Sequence, residues 1–278
     1  MVANPRVRPR RTLRWVLAVL TLGAVGTAAV SFYLHRNQNP GCEANGASRC
    51  TRILFIGNSY TSVNDLPAMF ANLAGSGGHR VETGVQAPGG WTLADHDHAA
   101  TTDTLLAAPK WDLIVLQEQS ELPADKRTRE AYMYPPAQDL VTRARTAGAQ
   151  PMFFVTWAHR NGWPANNLPD YATMQSAIDE GYMTIATQQH AEVAPVGFAW
   201  MSIVNRESNP GLWQDDGSHP TEKGTYLAAC VFYASVFLES PAGLRYHADL
   251  SDADASDAQN AAVATVFGDL AKWGLPQP

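Results

Sequence analysis

Arg52-Ile53-Leu54-Phe55-Ile56-Gly57-Asn58-Ser59 decides how the rest of the chain is read. Four consecutive apolar residues run into a glycine, and polar residues follow at once. A short apolar run without alternation is the pattern of a strand covered on both faces. Further strands are predicted near Arg80 to Val85, and at Asp112 to Leu116, Pro151 to Val155 and Glu192 to Val196. Between these runs, Leu66 to Leu73, Glu130 to Ala147 and Tyr171 to His190 have helical spacing. Thr221 to Phe237 and Asp254 to Trp273 add two more predicted helices. Short strands alternating with helices predict an α/β fold with a mostly parallel five-stranded sheet. Gly75-Ser76-Gly77-Gly78 follows a helix, so it reads as a cap and turn, not a phosphate loop.

Charge divides the chain of 278 residues unevenly. Arg6, Arg8, Arg10, Arg11, Arg14 and Arg36 fall in the first 36 residues, which hold no acid. Removing these six from the 20 Lys and Arg leaves 14, against 26 Asp and Glu, so the remainder carries −12. An acidic body without a basic run argues against nucleic acid as a partner, because phosphate binding needs clustered cations. At 45% hydrophobic and 17% charged over its full length, the chain is composed for one sizeable core. No repeat or domain break interrupts it after residue 50.

Trp15 to Leu34 is a run of 20 residues without charge. That length spans a bilayer as a helix, and the arginines before it favour a cytoplasmic N-terminus. A cleaved signal peptide is the rival reading, with Thr27 to Ser31 offering small residues for cleavage. The expected layout is a basic cytoplasmic head at 1–14, a signal anchor or signal peptide at 15–34, a linker at 35–50, and one domain at 51–278. The body is then membrane-anchored outside the cytoplasm, or secreted or periplasmic if the segment is removed. In an exported chain, Cys42 and Cys50 suit a local disulfide; otherwise they are two thiols in a stalk. Cys230 lies in an apolar run and reads as a buried small hydrophobe.

In parallel sheets the chemistry gathers at the carboxyl ends of the strands. Ser59 sits there after the first strand, with its own N–H near a helix start and suited to a developing oxyanion. The same residues also suit an ordinary capping turn. A serine hydroxyl needs a base, and Asp216-Gly217-Ser218-His219 offers a histidine with an aspartate three residues earlier to orient it. An Asx turn at the next helix start would use the same residues. Pro88-Gly89-Gly90-Trp91-Thr92 follows the second strand, where glycine lets a backbone N–H approach a ligand. Gln117 ends the third strand and carries an amide able to donate.

In this order the motifs resemble the SGNH (GDSL-like) hydrolase superfamily, over roughly residues 51–240. Gly57-Asn58-Ser59-Tyr60 stands where the family has Gly-Asp-Ser-Leu, Gly90 matches the second-block glycine with Gly89 as fallback, and Asp216 to His219 gives the Asp-x-x-His block. Gln117-Glu118-Gln119-Ser120 departs from the family's Gly-x-Asn-Asp. It is closer to the Gln-Gly-Glu-Ser strand end of the carbohydrate acetylesterase branch. The resemblance implies a three-layer α/β/α sandwich and a serine esterase with a Ser59–His219–Asp216 triad. It implies oxyanion donors at Ser59, Gly90 and Gln117, with Gln119 in reserve, and no metal or cofactor. Asn58, Gln119 and Trp157 are the expected substrate contacts. The expected substrate is a small-molecule or glycan ester, most readily a short acyl group on a glycan. The same triad also suits an acyltransferase, and the same fold a non-catalytic glycan-binding module.

Three further features carry weaker signals. His96-Asp97-His98 lacks the additional ligands of a metal site. Trp157, His159, Trp163 and Tyr171 follow the fourth strand and suit either sugar stacking or core packing. The run Ser251 to Asp257 lacks the glycine and glutamate of a calcium loop, and reads as a helix cap and first turn.

Overall fold

The structure, a computed structural model, describes Cys42 and residues 49–108, 111–208 and 210–277. The expected head and span at 1–34 lie outside the described residues, as does most of the linker. Among the described residues no helix is long and apolar enough to cross a membrane. Cys42 and Cys50 are joined by a disulfide.

Five parallel strands form one sheet in the order β2-β1-β3-β4-β5. They are β1 (Cys50–Ile56), β2 (Arg80–Gln86), β3 (Leu113–Leu116), β4 (Gln150–Phe154) and β5 (Glu192–Ala194). Ile53 to Ile56 and Ile114 to Leu116 have no exposure, as expected of strands covered on both faces. Ile56 pairs with both Gln86 and Leu116, and Leu116 pairs with Phe153. The residues that follow these positions therefore emerge along one edge. The chain reverses direction across the sheet between β1 and β3, and such a switch point leaves a crevice at the strand ends.

Helices cover both faces. On one side α2 (Leu66–Ser76), α8 (Val196–Val204), α9 (Glu222–Phe237) and α10 (Asp252–Gly268) pack together. On the other lie α3 (Leu93–Asp97), α6 (Tyr134–Thr146) and α7 (Tyr171–Gln189). Helix α9 is buried along its length from Gly224 to Ser235, which includes Cys230. The shorter helices are α1 (Ser59–Ser62), α4 (Ala100–Leu106) and α5 (Lys126–Thr128). The result is the three-layer α/β/α sandwich.

Element boundaries differ from expectation in several places. The helix expected from Glu130 is interrupted by a wide turn at Arg129–Met133 before α6. Pro135 and Pro136 lack N–H donors and fit only the first turn, so α6 starts afresh there. The fifth strand stops at Ala194 because Pro195 leaves the ladder and α8 begins at Val196. The last helix ends at Gly268; Trp273 folds back and donates its indole N–H to Thr265 O at 3.1 Å. Helices α3 and α4 occupy a stretch too short in its periodicity to be predicted.

Candidate active site

Ser59 is the first residue of α1, two residues beyond Gly57 and three beyond Ile56, the end of β1. Asn58 caps this helix, its Oδ1 accepting Tyr60 N–H at 3.1 Å. Asn58 Nδ2 donates to Trp91 O at 2.9 Å, which ties the β1 turn to the loop after β2. The turn tolerates no side chain at residue 57. A Cβ there would lie 2.4 Å from Gln117 Oε1 and 2.6 Å from Thr61 Oγ1. Behind the turn, the buried His96 donates from Nε2 to Gly57 O at 2.7 Å. Desolvation lowers its pKa, which keeps the ring neutral in that role.

The loop before α9 brings the other two groups. Asp216 Oδ1 accepts Ser218 N–H and His219 N–H, each at 2.9 Å, and Oδ2 faces His219 Nδ1 at 2.6 Å. Burial raises the Asp216 pKa, but the bonds from the Ser218 and His219 backbone and from the His219 ring outweigh it and hold the carboxylate below its ordinary range. With Nδ1–H given to the carboxylate, Nε2 accepts, and Ser59 Oγ lies 2.9 Å away. Arg160 holds this loop from outside: its N–H donates to Gly217 O at 2.8 Å and Nη2 to Trp213 O at 3.1 Å.

Ser59 and His219 open into a cavity of about 450 Å³, which Gly89, Gly90, Gln119 and Ser120 also line. Gly90 has φ +76, the left-handed region that glycine enters without steric cost, in a turn closed by Trp91 N–H to Pro88 O at 3.3 Å. Gly89 lines the same cavity. Among the described residues, no protein acceptor takes the Ser59 or Gly90 N–H. Gln119 is fixed by accepting Glu121 and Leu122 N–H on Oε1 at 2.8 and 3.1 Å. Its amide group donates one hydrogen to Ser120 Oγ at 3.2 Å, and the second has no protein acceptor among the described residues.

Two expected contacts are corrected by this geometry, and a third is narrowed. Gln117 does not reach the cavity. It is fully buried, its Nε2 donates to Asn58 Oδ1 and Glu118 O, and its Oε1 accepts Asn58 N–H and Thr61 Oγ1–H. Both amide hydrogens are engaged inside the protein. Trp157 cannot touch a substrate either. It is fully buried between Tyr60 and Trp200, stacked at 4.6 and 4.1 Å between ring centres, with its indole N–H on Ser218 O. Asn58 does line the cavity, but only 3% exposed and with its side chain bonded within the turn.

Sequence reasoning gave Tyr60, Ser120, Ser218 and Glu118 no role in this site. Tyr60 OH pairs with Ser218 Oγ at 2.7 Å, and His159 Nε2 with Ser120 Oγ at 3.2 Å, so one cavity wall is a run of polar groups. Glu118 lies beneath Gln119, fully buried, and burial pushes its pKa up to about 8. Only its place between two glutamines at a strand end marks it in the sequence. No cluster of three metal-binding side chains occurs among the described residues.

No family model matches the sequence, and no curated protein does. Solved structures do. A protein from Slackia heliotrinireducens, described as an SGNH hydrolase, is 32% identical, with 68% of this chain and 100% of that one covered and a TM-score of 0.57. A DUF4886 family protein from Bacteroides uniformis is 20% identical, covering 80% of this chain and 96% of that one, with a TM-score of 0.68. Axe2, an acetylxylan esterase from Geobacillus stearothermophilus, is 17% identical, covering 66% and 92%, with a TM-score of 0.51. The last two share the fold. The identity to the Slackia protein extends over all of its length, and on that ground this chain belongs to the SGNH hydrolases.

Proposed function

We propose that the protein is a serine esterase that hydrolyses a carboxylic ester by a Ser59–His219–Asp216 triad. The observation that carries this reading is the continuous hydrogen-bonded line from Asp216 Oδ2 through the His219 ring to Ser59 Oγ at the cavity. Ser59 Oγ attacks the acyl carbon while His219 Nε2 takes its proton, and Asp216 holds the tautomer. The oxyanion receives the Ser59 and Gly90 N–H groups, and Gln119 takes the third place that Gln117 cannot fill. Collapse expels the alcohol, which takes the proton from His219. Water, deprotonated by the same ring, then releases the acid.

A short acyl group on a glycan is the substrate class we favour. The polar wall of Ser120 and Ser218 suits a hydroxylated alcohol, and Axe2 is an acetylxylan esterase on the same fold. The arginine-rich head and the uncharged run at 15–34 would place the domain outside the cytoplasm, and the Cys42–Cys50 disulfide supports an oxidising compartment.

The test is hydrolysis of 4-nitrophenyl acetate by wild type and Ser59→Ala. The variant is expected to lose on the order of 10⁴-fold or more in kcat. Equal rates would refute the triad. Adding a xylo-oligosaccharide acceptor and measuring acetyl transferred against acetate released separates a hydrolase from a transferase.

A further inference from the structure

Glu118 is an anomaly for folding alone. It has no exposure, makes no ion pair among the described residues, and its Oε2 has no hydrogen-bond partner there. A buried carboxyl without a cation is costly, and a neutral side chain of the same shape would serve a core better. Its one bonded oxygen does something specific. Oε1 accepts Leu93 N–H at 3.1 Å and Gln119 N–H at 2.6 Å. Leu93 begins α3, three residues after Gly90, in the loop following β2. Gln119 is in the loop following β3. One atom therefore joins the two loops that, on the esterase reading above, present the second and third oxyanion donors. Glu118 is itself held in place: its N–H donates to Tyr182 OH at 2.9 Å, and its carbonyl accepts Gln117 Nε2.

We propose that Glu118 is a positioning residue whose carboxyl fixes the distance between the Gly90 loop and the Gln119 loop. It touches no substrate. Its effect on rate passes through the placement of two donors, where displacements well under 1 Å weaken transition-state binding. This rests on the oxyanion roles proposed above for Gly90 and Gln119.

Two conservative variants of the full chain separate positioning from charge. Glu118→Gln keeps an oxygen at the same reach and removes the ionisable group. Glu118→Asp keeps an ionisable carboxyl and falls a methylene short. With 4-nitrophenyl acetate, Glu118→Gln is expected to stay within about threefold of wild-type kcat, and Glu118→Asp to lose about tenfold or more with KM nearly unchanged. Three outcomes overturn the proposal: Glu118→Asp at least as active as Glu118→Gln, both within threefold of wild type, or both impaired alike. If Ser59→Ala is as active as wild type in the same assay, the esterase reading fails instead. The clamp is then judged by hydrogen exchange. Faster exchange at the Leu93 and Gln119 amides in Glu118→Asp than in Glu118→Gln supports it, and equal exchange overturns it.

Discussion

Gln117 holds Asn58 from both directions: Asn58 N–H donates to Gln117 Oε1 at 2.9 Å, and Gln117 Nε2 donates to Asn58 Oδ1 at 3.0 Å. The residue before Ser59, the proposed nucleophile, is thus fixed by the end of the neighbouring strand. Gln117→Leu would leave Asn58 N–H, Asn58 Oδ1 and Thr61 Oγ1 without these partners, in a buried place. Each unsatisfied group costs about 1–3 kcal/mol. The variant is expected to unfold at clearly lower denaturant and to lose activity together with stability.

Gln119 should behave the opposite way. It lines the cavity, and its side chain braces only its own loop. Gln119→Ala is expected to cost about 100-fold in kcat, the usual loss for one oxyanion donor, with a thermal midpoint close to wild type. Denaturation curves and steady-state kinetics on the two variants decide between the glutamines. An unstable Gln119→Ala with normal kcat would return the donor role to Gln117.

Trp157 stacks between Tyr60 and Trp200 with interplanar angles of 8° and 10°. It stands behind Tyr60 and so supports the site from within the core. Trp157→Ala would open a large cavity and is expected to cost about 3–5 kcal/mol. Trp157→Phe keeps part of the stack and should leave KM for an acetylated xylo-oligosaccharide unchanged while lowering the melting temperature. A raised KM with unchanged stability would restore the sugar contact that the sequence led us to expect.

These two residues mark where sequence reading stopped. Strand ends were legible because Ile53 to Ile56 and Ile114 to Leu116 are apolar without alternation and stop at Gly57 and Gln117. Asp216 and His219 were legible because a spacing of three with Gly217 between them makes a turn that turns both side chains one way; Gly217 has φ +70. What decided Gln117 against Gln119 was which of them points into the protein. They are two positions apart, so strand alternation would send both to the same face. The strand ends at Leu116, and it is the course of the following loop that separates them, of which composition carries no trace. Trp157 was misread for a related reason: an aromatic after a strand end is a rim or a core residue according to the loop that covers it. Here that cover is Ser218 and Trp200.

The disulfide closes a short loop just at the start of β1, with the cysteines eight positions apart. A loop of this size restricts the unfolded chain by about 2–3 kcal/mol. Ile53 to Ile56, which lead into the candidate site, are already paired on both sides by β2 and β3, so the site's geometry does not depend on it. Cys42→Ser with Cys50→Ser is therefore expected to lower the melting temperature while leaving kcat within about twofold. A melting temperature identical under reducing and oxidising conditions would contradict this.

Glu118 gives stability a pH dependence with a definite sign. Its carboxyl is raised from an ordinary 4.5 to about 8 in the folded protein, by burial first and then by the Asp95 carboxylate, against the bonds from Gln119 and Leu93 N–H. The Tyr182 hydroxyl is also close by, accepting the Glu118 backbone N–H at 2.9 Å. Between these two values the folded state keeps the proton that the unfolded chain has released. Stability contributed by this group is therefore present below 4.5 and declines as pH rises towards about 8. Glu118→Gln has no such proton. Its melting temperature relative to wild type should rise steadily from pH 5 to pH 8, by about 2 °C or more, and then level off. Thermal scans of both proteins across that range check this. A difference that stays constant with pH would mean the carboxyl titrates alike in the folded and unfolded chain.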